Sequence, residues 1–317
     1  MHRNFMFNKG FYCVPCFAYD TAMIRVMTFN IGFCGGWNGL EAGVQPEHLI
    51  RDRLHEVVRL IQNADCDIVL LQEVDRKSRR SADVDQVAFI RANAGYSHTE
   101  FVTAWKHPWV PYPSLLDFKR QFGPVHAGNM ILSRYPILFS RTVELPRRRD
   151  KSWVYNWFYL HQVYQEVLLS LPGCSLRVGH VHLDAFDADT RTAQIRAVMN
   201  ALPSASSVPV ILGGDFNAVA YCDGTRRYPD DPTMDYCDDL TLSQTQQLGF
   251  LDCGVIPGRT LDSAYDFPAE APSRKLSYVM VTGPLSGTAS AIPAILASDH
   301  RALVAEINLT AFFDKFA

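Results

Sequence analysis

Val208-Pro209-Val210-Ile211-Leu212-Gly213-Gly214-Asp215-Phe216-Asn217 reads as an apolar strand that stops at two glycines and then presents a carboxylate and a carboxamide. A short β-branched and leucine run bounded by turn residues is the pattern of a buried strand. On its own, Asp215-x-Asn217 is most simply an Asx turn. The arrangement recurs, however. Thr28-Phe29-Asn30 closes an apolar run, as does Leu70-Leu71-Gln72-Glu73-Val74-Asp75. Gly179-His180-Val181-His182-Leu183-Asp184 ends a third, and Ser298-Asp299-His300-Arg301 stands just ahead of the last. Any one of these is unremarkable as a turn or a solvated strand end. Together they place acids, amides and histidines where strands stop, so that a parallel or mixed sheet would gather them along one edge.

Working outward, β-type runs occupy Met23–Phe29, Ile68–Gln72, Met130–Leu132, Gln162–Leu171, Leu176–Val181, Val208–Leu212, Leu276–Val281 and Ala302–Ile307. Helical spacing lies between some of them. Pro46 suits a first helical turn, and Leu49, Ile50, Leu54, Val57, Val58 and Ile61 follow on one face. Asp187 or Asp189 can cap a second helix burying Ile195, Val198 and Leu202. Strands outnumber helices, and helices fall between strands throughout. The expected fold is a four-layered α/β (α+β) sandwich, two mixed β-sheets packed face to face with helices outside.

The bulk properties agree with one large folded unit. At 48% hydrophobic residues the chain can bury a substantial core, which excludes an intrinsically disordered protein. A net charge of −3 supplies no global positive field to recruit nucleic acid. No apolar run has the length of a membrane-spanning helix. Cys13 and Cys16 form the one C-x-x-C pair, with no second pair to complete a zinc site, and most of the cysteines read as reduced core residues. Residues 1–22 loosely mimic a signal peptide, but Pro15 interrupts the apolar run and no small-x-small cleavage site follows. The expectation is an N-terminal extension over 1–22 and a single catalytic domain over 23–317, cytoplasmic rather than secreted.

The residue types at the strand ends share one task. Magnesium takes hard oxygen ligands and commonly only one or two carboxylates, with water and phosphate completing its shell. Phosphoester hydrolysis also needs a group to take a proton from water and donors to hold developing negative charge. The five segments, in this order, resemble the motif series of the endonuclease/exonuclease/phosphatase superfamily. Gly128-Asn129-Met130-Ile131-Leu132-Ser133-Arg134 before Tyr135-Pro136, and Arg191 with Gln194, extend the likeness from about Arg25 to the last strand. Each tripeptide is common alone; the ordered set is specific.

The resemblance implies roles. Glu73 is then the main metal ligand, assisted by Asn30 and Asp299, with Mg2+ (or Mn2+ in its place) as cofactor and one or two ions left open. Asp215 holds or activates the attacking water, and Asn217 orients it or the phosphate. His182 hydrogen-bonds a non-bridging phosphate oxygen, and His300 acts as general base or charged stabiliser. One position departs from the family. Where Arg-Ile-Asp-Tyr is usual, with its Asp bracing the histidine, this chain has Lys275-Leu276-Ser277-Tyr278. Ser277 cannot stabilise an imidazolium as a carboxylate does, so either Asp266 or Asp299 compensates or His300 titrates lower.

The substrate is carried by loops rather than by the shared motifs. Trp105-Lys106-His107-Pro108-Trp109-Val110-Pro111-Tyr112 is expected to be an exposed, proline-broken loop, with Trp105 and Trp109 as substrate contacts beside His126 and Asn129. Trp153 to Tyr159, after the basic run Arg147-Arg148-Arg149, alternates like a strand with a core face. Aromatic platforms of this kind suit a lipid interface or stacking on bases. The six aspartates between Asp223 and Asp239 disfavour a duplex-DNA track there. The favoured expectation is a phosphodiesterase for a small or lipid-linked phosphodiester, with no stable protein partner. An endo- or exonuclease is the alternative, and a binding module with lost turnover is the third reading.

Overall fold

The computed structural model describes residues 23–39, 43–202, 208–220, 236, 238–254 and 261–313. The proposed extension over 1–22, the Cys13/Cys16 pair and most of the acidic segment 223–239 lie outside these residues.

Period-2 patterning sets the architecture. In β1 (Met23–Asn30), Ile24 and Val26 point to one core layer, and Met27 and Phe29 point to another on the opposite face. Helix α1 (Glu47–Ala64) covers the second layer. Its Ile50, Leu54, Val57, Val58 and Ile61 are buried against Met27, Phe29, Val69 and Leu71, whereas Leu49 falls at the edge of the stripe and is exposed. Pro46 is the N-cap residue itself, and Asp65, left-handed at φ 50°, ends the helix. The chain then enters β2 (Ile68–Asp75), which lies parallel to β1. Helix α2 (Gln86–Asn93) is capped by Asp85 and leads to β3 (His98–Val110) and β4 (Gly123–Ser133).

The second half repeats the plan. After β5 (Ile137–Glu144), α3 (Trp153–Phe158), β6 (Val163–Leu171) and β7 (Cys174–His182), helix α4 (Ala188–Ala201) crosses to β8 (Val210–Asp215), parallel to β7. Asp187 is the α4 cap, its carboxylate accepting from Thr190 N at 2.8 Å. Helix α5 (Thr241–Gln247), strands β9 (Phe250–Asp252), β10 (Ser277–Thr282), β11 (Ser286–Ala291) and β12 (Leu303–Asn308), and the short α6 (Thr310–Phe313) follow.

Two six-stranded mixed sheets result, in the orders β11-β12-β1-β2-β4-β3 and β5-β6-β7-β8-β10-β9. Ile24, Val26, Leu70, Val178, Ile211 and Val279 fill the layer between them. The outer layers pack under α1 and α2 on one side and under α4 and α5 on the other. This is the expected α/β sandwich. The two parallel pairs, β1/β2 and β7/β8, sit inside their sheets, and the same parity that sends Ile24 and Leu70 inward sends Asn30, His182 and Asp215 inward at their C-terminal ends.

Two segments differ from the sequence reading. Trp105 to Val110 is strand rather than loop, because β3 is an edge strand, where Pro108 removes no ladder bond that the sheet requires, and the register slips between His107 and Val110. Trp153–Phe158 is a helical turn, not a strand. Ser152 caps it by accepting from Tyr155 N at 3.2 Å, and Tyr155, Phe158 and Tyr159 share a face by three- and four-residue spacing. Among the described residues Cys34, Cys66, Cys174 and Cys253 are free thiols, three of them buried.

Candidate active site

The site is assembled where the four inner parallel strands end. Asn30 closes β1, and its amide nitrogen donates both to Glu73 Oε1 at 3.1 Å and to Asp215 Oδ2 at 3.0 Å, so one carboxamide ties the two sheets together. Its own oxygen accepts from Gly32 N at 3.0 Å. Glu73 reaches this point through a bulge. The β2–β4 register shifts between Leu71 and Val74, and Glu73 takes φ 54°, a left-handed conformation unusual for a residue with a side chain. The irregularity re-aims the carboxylate toward the sheet edge, and backbone strain of this kind concentrates at functional positions.

On the other sheet, His182 and Asp215 are direct partners across β7 and β8. Gly214 makes the approach possible. It sits at φ 143°, and a Cβ there would lie 1.9 Å from the Val181 carbonyl oxygen. Asp215 is buried, with Oδ2 lying 3.8 Å from His182 Nε2 and 3.7 Å from His300 Nε2. Asn217, left-handed at φ 50°, donates its backbone N–H to Asp215 Oδ1 at 3.0 Å and its amide to Leu183 O at 3.0 Å. The Asx turn is therefore real, and it fixes the rotamer of the carboxylate that faces both imidazoles.

Ser298 joins the last motif to the first: its hydroxyl donates to Asn30 O at 2.6 Å and accepts from His300 N at 3.0 Å. The His300 ring is braced by Asp266, whose Oδ2 lies 3.2 Å from Nδ1. Ser277 does not take that place itself. It donates to the same Asp266 oxygen at 2.7 Å, and Leu276 N and Ser277 N hold Asp266 Oδ1 at 2.7 and 3.2 Å. Of the outcomes the sequence left open, compensation by Asp266 is the one the structure shows. Burial pulls the His300 pKa down, but the Asp215 charge, the Asp266 hydrogen bond and the Asp299 charge outweigh it and carry the pKa up to about 10. These charges favour the imidazolium form of His300.

Asp299 stands beside this group, its pKa raised by burial and by the charges of Glu73 and Asp215 against the lowering effect of His300. Among the described residues no three His, Cys, Asp or Glu side chains converge to hold an ion by themselves. Magnesium does not require them to, since one or two carboxylates with water suffice. The donor set is the carboxylates of Glu73 and Asp299; Asn30 turns its amide nitrogen to Glu73 and Asp215 and its oxygen to Gly32 N, so it orients Glu73 rather than offering an oxygen beside it. The two carboxylates fit a hard divalent cation.

A cavity of about 460 Å³ opens from the site. Glu73, Asn129 and His182 line its polar end, while the remainder is largely apolar and includes the rings of Trp105, Phe122, Tyr155, Phe158, Tyr159 and Phe186. Asn129 is buried, and its amide nitrogen has no acceptor among the described residues; the same holds for Gln162, another lining residue. The wall is stiffened by Arg80, which forms a buried two-point pair with Asp75 (3.0 and 2.9 Å) and lies 4.0 Å from the Phe33 ring centroid. Trp105 lines the cavity with its indole N–H bonded to Phe158 O at 3.0 Å. Trp109 and His126 do not reach it: Trp109 Nε1 donates to Gln121 Oε1 at 2.7 Å, and His126 Nε2 pairs with Thr103 Oγ1 at 2.9 Å. Gln162 was not singled out from sequence, because it sits at no motif; the aromatic stretch Trp153–Tyr159 was, but which of its rings face the cavity is visible only once that segment is known to be helical.

The endonuclease/exonuclease/phosphatase family model matches residues 27–300. No curated protein matches the sequence. Among solved structures, an endonuclease/exonuclease/phosphatase from Beutenbergia cavernae superposes with a TM-score of 0.64 at 22% identity, covering 90% of this chain and 71% of that one. The human Nocturnin catalytic domain with bound sulfate gives 0.58 at 20%, covering 90% and 93%. A Bacteroides thetaiotaomicron mannosyl-6-phosphatase gives 0.56 at 14%, covering 90% and 99%. At these identities the likeness is one of fold, and the family match rests on the sequence model. The chain belongs to the endonuclease/exonuclease/phosphatase family, whose members hydrolyse phosphoester bonds and generally use divalent metal ions.

Proposed function

We propose that this protein is a Mg2+-dependent phosphodiesterase acting on a small or lipid-linked phosphodiester. The observation that carries the reading is the largely apolar cavity ending on Glu73, Asn129 and His182. A phosphate held at that end places an apolar ester group against rings rather than in water, and ligand sites are typically built this way, with few polar groups in an apolar wall.

Glu73 and Asp299 would hold the cation, with Asn30 orienting Glu73 through its amide N–H, and the cation would supply Lewis-acid charge to a phosphate oxygen. The rest follows from the chain's own groups. Asp215, fixed by Asn30 and Asn217, is positioned to orient a water and take its proton. His300, favoured in its charged form, is an electrostatic stabiliser for the developing negative charge rather than a base. His182, whose Nε2 lies 3.8 Å from Asp215 Oδ2, would hydrogen-bond a non-bridging oxygen. Asn129 offers a further donor.

The test compares an aryl phosphodiester, sphingomyelin and plasmid DNA side by side, with Mg2+, with Mn2+ and in EDTA. Hydrolysis of a diester lost in EDTA and restored by Mg2+ is expected, and undiminished turnover in EDTA would overturn the metal assignment. Preferential DNA cleavage would establish the nuclease alternative. That alternative draws on one neighbour, a zebrafish TDP2 solved with a single-stranded DNA product, and on rings able to stack on bases.

A further inference from the structure

Two exposed apolar segments border the cavity. The first is the loop between β3 and β4. Its neck is closed by Phe122 N donating to Tyr112 O at 2.7 Å and by a ring contact of 5.3 Å between the same residues, both of which line the cavity. The loop is built rather than slack. Gln121 Nε2 donates to Ser114 O and Leu115 O at 2.9 and 3.2 Å, and the Arg79 guanidinium donates to Phe118 O, Lys119 O and Gln121 O. On this scaffold Leu115, Leu116 and Phe118 are 73%, 91% and 67% exposed. The second segment is α3. It gives Tyr155 and Phe158 to the cavity and leaves Trp153 and Trp157 78% and 55% exposed.

A soluble surface gains nothing from holding two leucines, a phenylalanine and two tryptophans in water, and clustered exposure of this kind marks a contact site. The surrounding charge selects the partner. Lys119, Arg120, Arg147, Arg149 and Lys151 outnumber Asp117 in the loop and in the run leading into α3, where Arg148 and Asp150 pair with each other at 3.0 and 2.7 Å, while the whole chain carries −3. The molecule is therefore locally basic around its apolar tips. Leucines cannot stack on bases as aromatic rings do, so a single-stranded nucleic acid uses this loop poorly. Aliphatic tips that enter acyl chains, indoles at headgroup depth and a basic surround that meets anionic headgroups fit a lipid surface. No helix among the described residues is long and apolar enough to cross a membrane.

We propose that the loop tip Leu115/Leu116/Phe118 and the α3 indoles Trp153/Trp157 form a docking surface for an anionic bilayer, bringing the cavity mouth to the lipid interface. The proposal rests on, and narrows, the reading of the substrate as a lipid-linked ester. The experiment is co-sedimentation of the full chain with vesicles of phosphatidylcholine alone and of phosphatidylcholine mixed with phosphatidylserine, run with and without Mg2+. Alongside it, hydrolysis of a soluble aryl phosphodiester is measured. Binding to the mixed vesicles is expected with or without Mg2+. The triple substitution Leu115→Ser, Leu116→Ser, Phe118→Ser should weaken it by at least about tenfold, given the apolar area withdrawn from the bilayer. Lys119→Glu with Arg149→Glu should weaken it further at low salt, and both sets should leave soluble-diester turnover unchanged. Wild-type protein remaining in the supernatant with both vesicles overturns the docking surface, as does a triple variant that binds like wild type or a concentration-dependent dimer that the triple variant abolishes. Vesicle binding without hydrolysis of any ester would instead overturn the proposed function and leave the docking surface standing.

Discussion

Asp266 Oδ2 lies 3.2 Å from His300 Nδ1 while accepting the Ser277 hydroxyl at 2.7 Å, so the serine found at the family's aspartate position buttresses a carboxylate supplied from elsewhere in the chain. The two residues are 34 positions apart. Asp266 also accepts two backbone N–H groups, which fixes its rotamer and keeps its charge satisfied in a buried place. The brace is therefore a relayed carboxylate, and the departure in sequence does not remove it in space.

Asp266→Asn should show this directly. The substitution keeps the shape but removes the charge, so the His300 pKa should fall from about 10 toward its ordinary value near 6.5. If the imidazolium stabilises the transition state, activity should drop by about 10²-fold at neutral pH, with kcat affected more than KM. The alkaline limb of the pH–rate profile should also move to lower pH. Ser277→Ala should reproduce the shift in weaker form. There is a matching stability effect. Because folded His300 keeps its proton above the unfolded value of 6.5, its contribution is fully present below about pH 6.5 and is lost as pH rises toward 10. NMR titration of the ring in both proteins checks the assignment, and an unmoved pKa would remove Asp266 from the role.

Glu73 offers a test that separates chemistry from folding. Glu73→Ala should abolish metal-dependent turnover and weaken Mg2+ binding measured by calorimetry, with circular dichroism unchanged. Since residue 73 sits at φ 54°, Glu73→Gly should be more stable than Glu73→Ala by about 1 kcal/mol despite the usual cost of glycine in a strand. Urea melts of the two variants decide it. Equal stability would mean the bulge relaxes once the carboxylate is gone.

The site was legible as a series of motifs at strand ends, Glu73 and His300 among them through the family resemblance, and the period-2 rule gives the physical reason for part of it. Asn30, His182 and Asp215 lie in phase with the inward residues of their strands, so naming the strands placed them together. Glu73 does not obey that phase; it reaches the site only through the bulge at β2, and no propensity at Gln72-Glu73 announces a slipped register. Asp266 was one of two acids the sequence offered as a substitute brace, and pattern alone does not choose between it and Asp299. Asp266 is held by Leu276 and Ser277 across a turn whose geometry depends on packing rather than pattern. The aromatic segments failed in opposite directions. Proline in Trp105–Tyr112 suggested a loop because a central strand was assumed, and an edge strand tolerates it. The alternation in Trp153–Tyr159 suggested a strand because seven residues are too few to separate a period of two from one of 3.6.

The last prediction concerns His180, which stands one inward position before His182 and carries no proposed catalytic role. It is fully buried between the sheets. Gln72 Nε2 lies 2.6 Å from its Nε2, and Gln165 Oε1 lies 3.3 Å from Nδ1, so the ring bridges β2 of one sheet to β6 of the other. Burial and the neighbouring His182 lower its pKa to about 3. In the unfolded chain the same ring takes a proton near 6.5, so between those two values the unfolded state binds the extra proton and stability falls as pH falls. The loss is about 1.4 kcal/mol per pH unit well below pH 6.5, and it vanishes above that value. His180→Gln retains a donor and an acceptor for the two glutamines but cannot titrate. It should cost about 1–2 kcal/mol at pH 7.5 through imperfect replacement of the bridge, yet flatten the decline in stability between pH 6 and pH 4. Urea denaturation of both proteins across that range measures the two slopes. Parallel slopes would show that acid sensitivity comes from the carboxylates of the site rather than from this bridging imidazole.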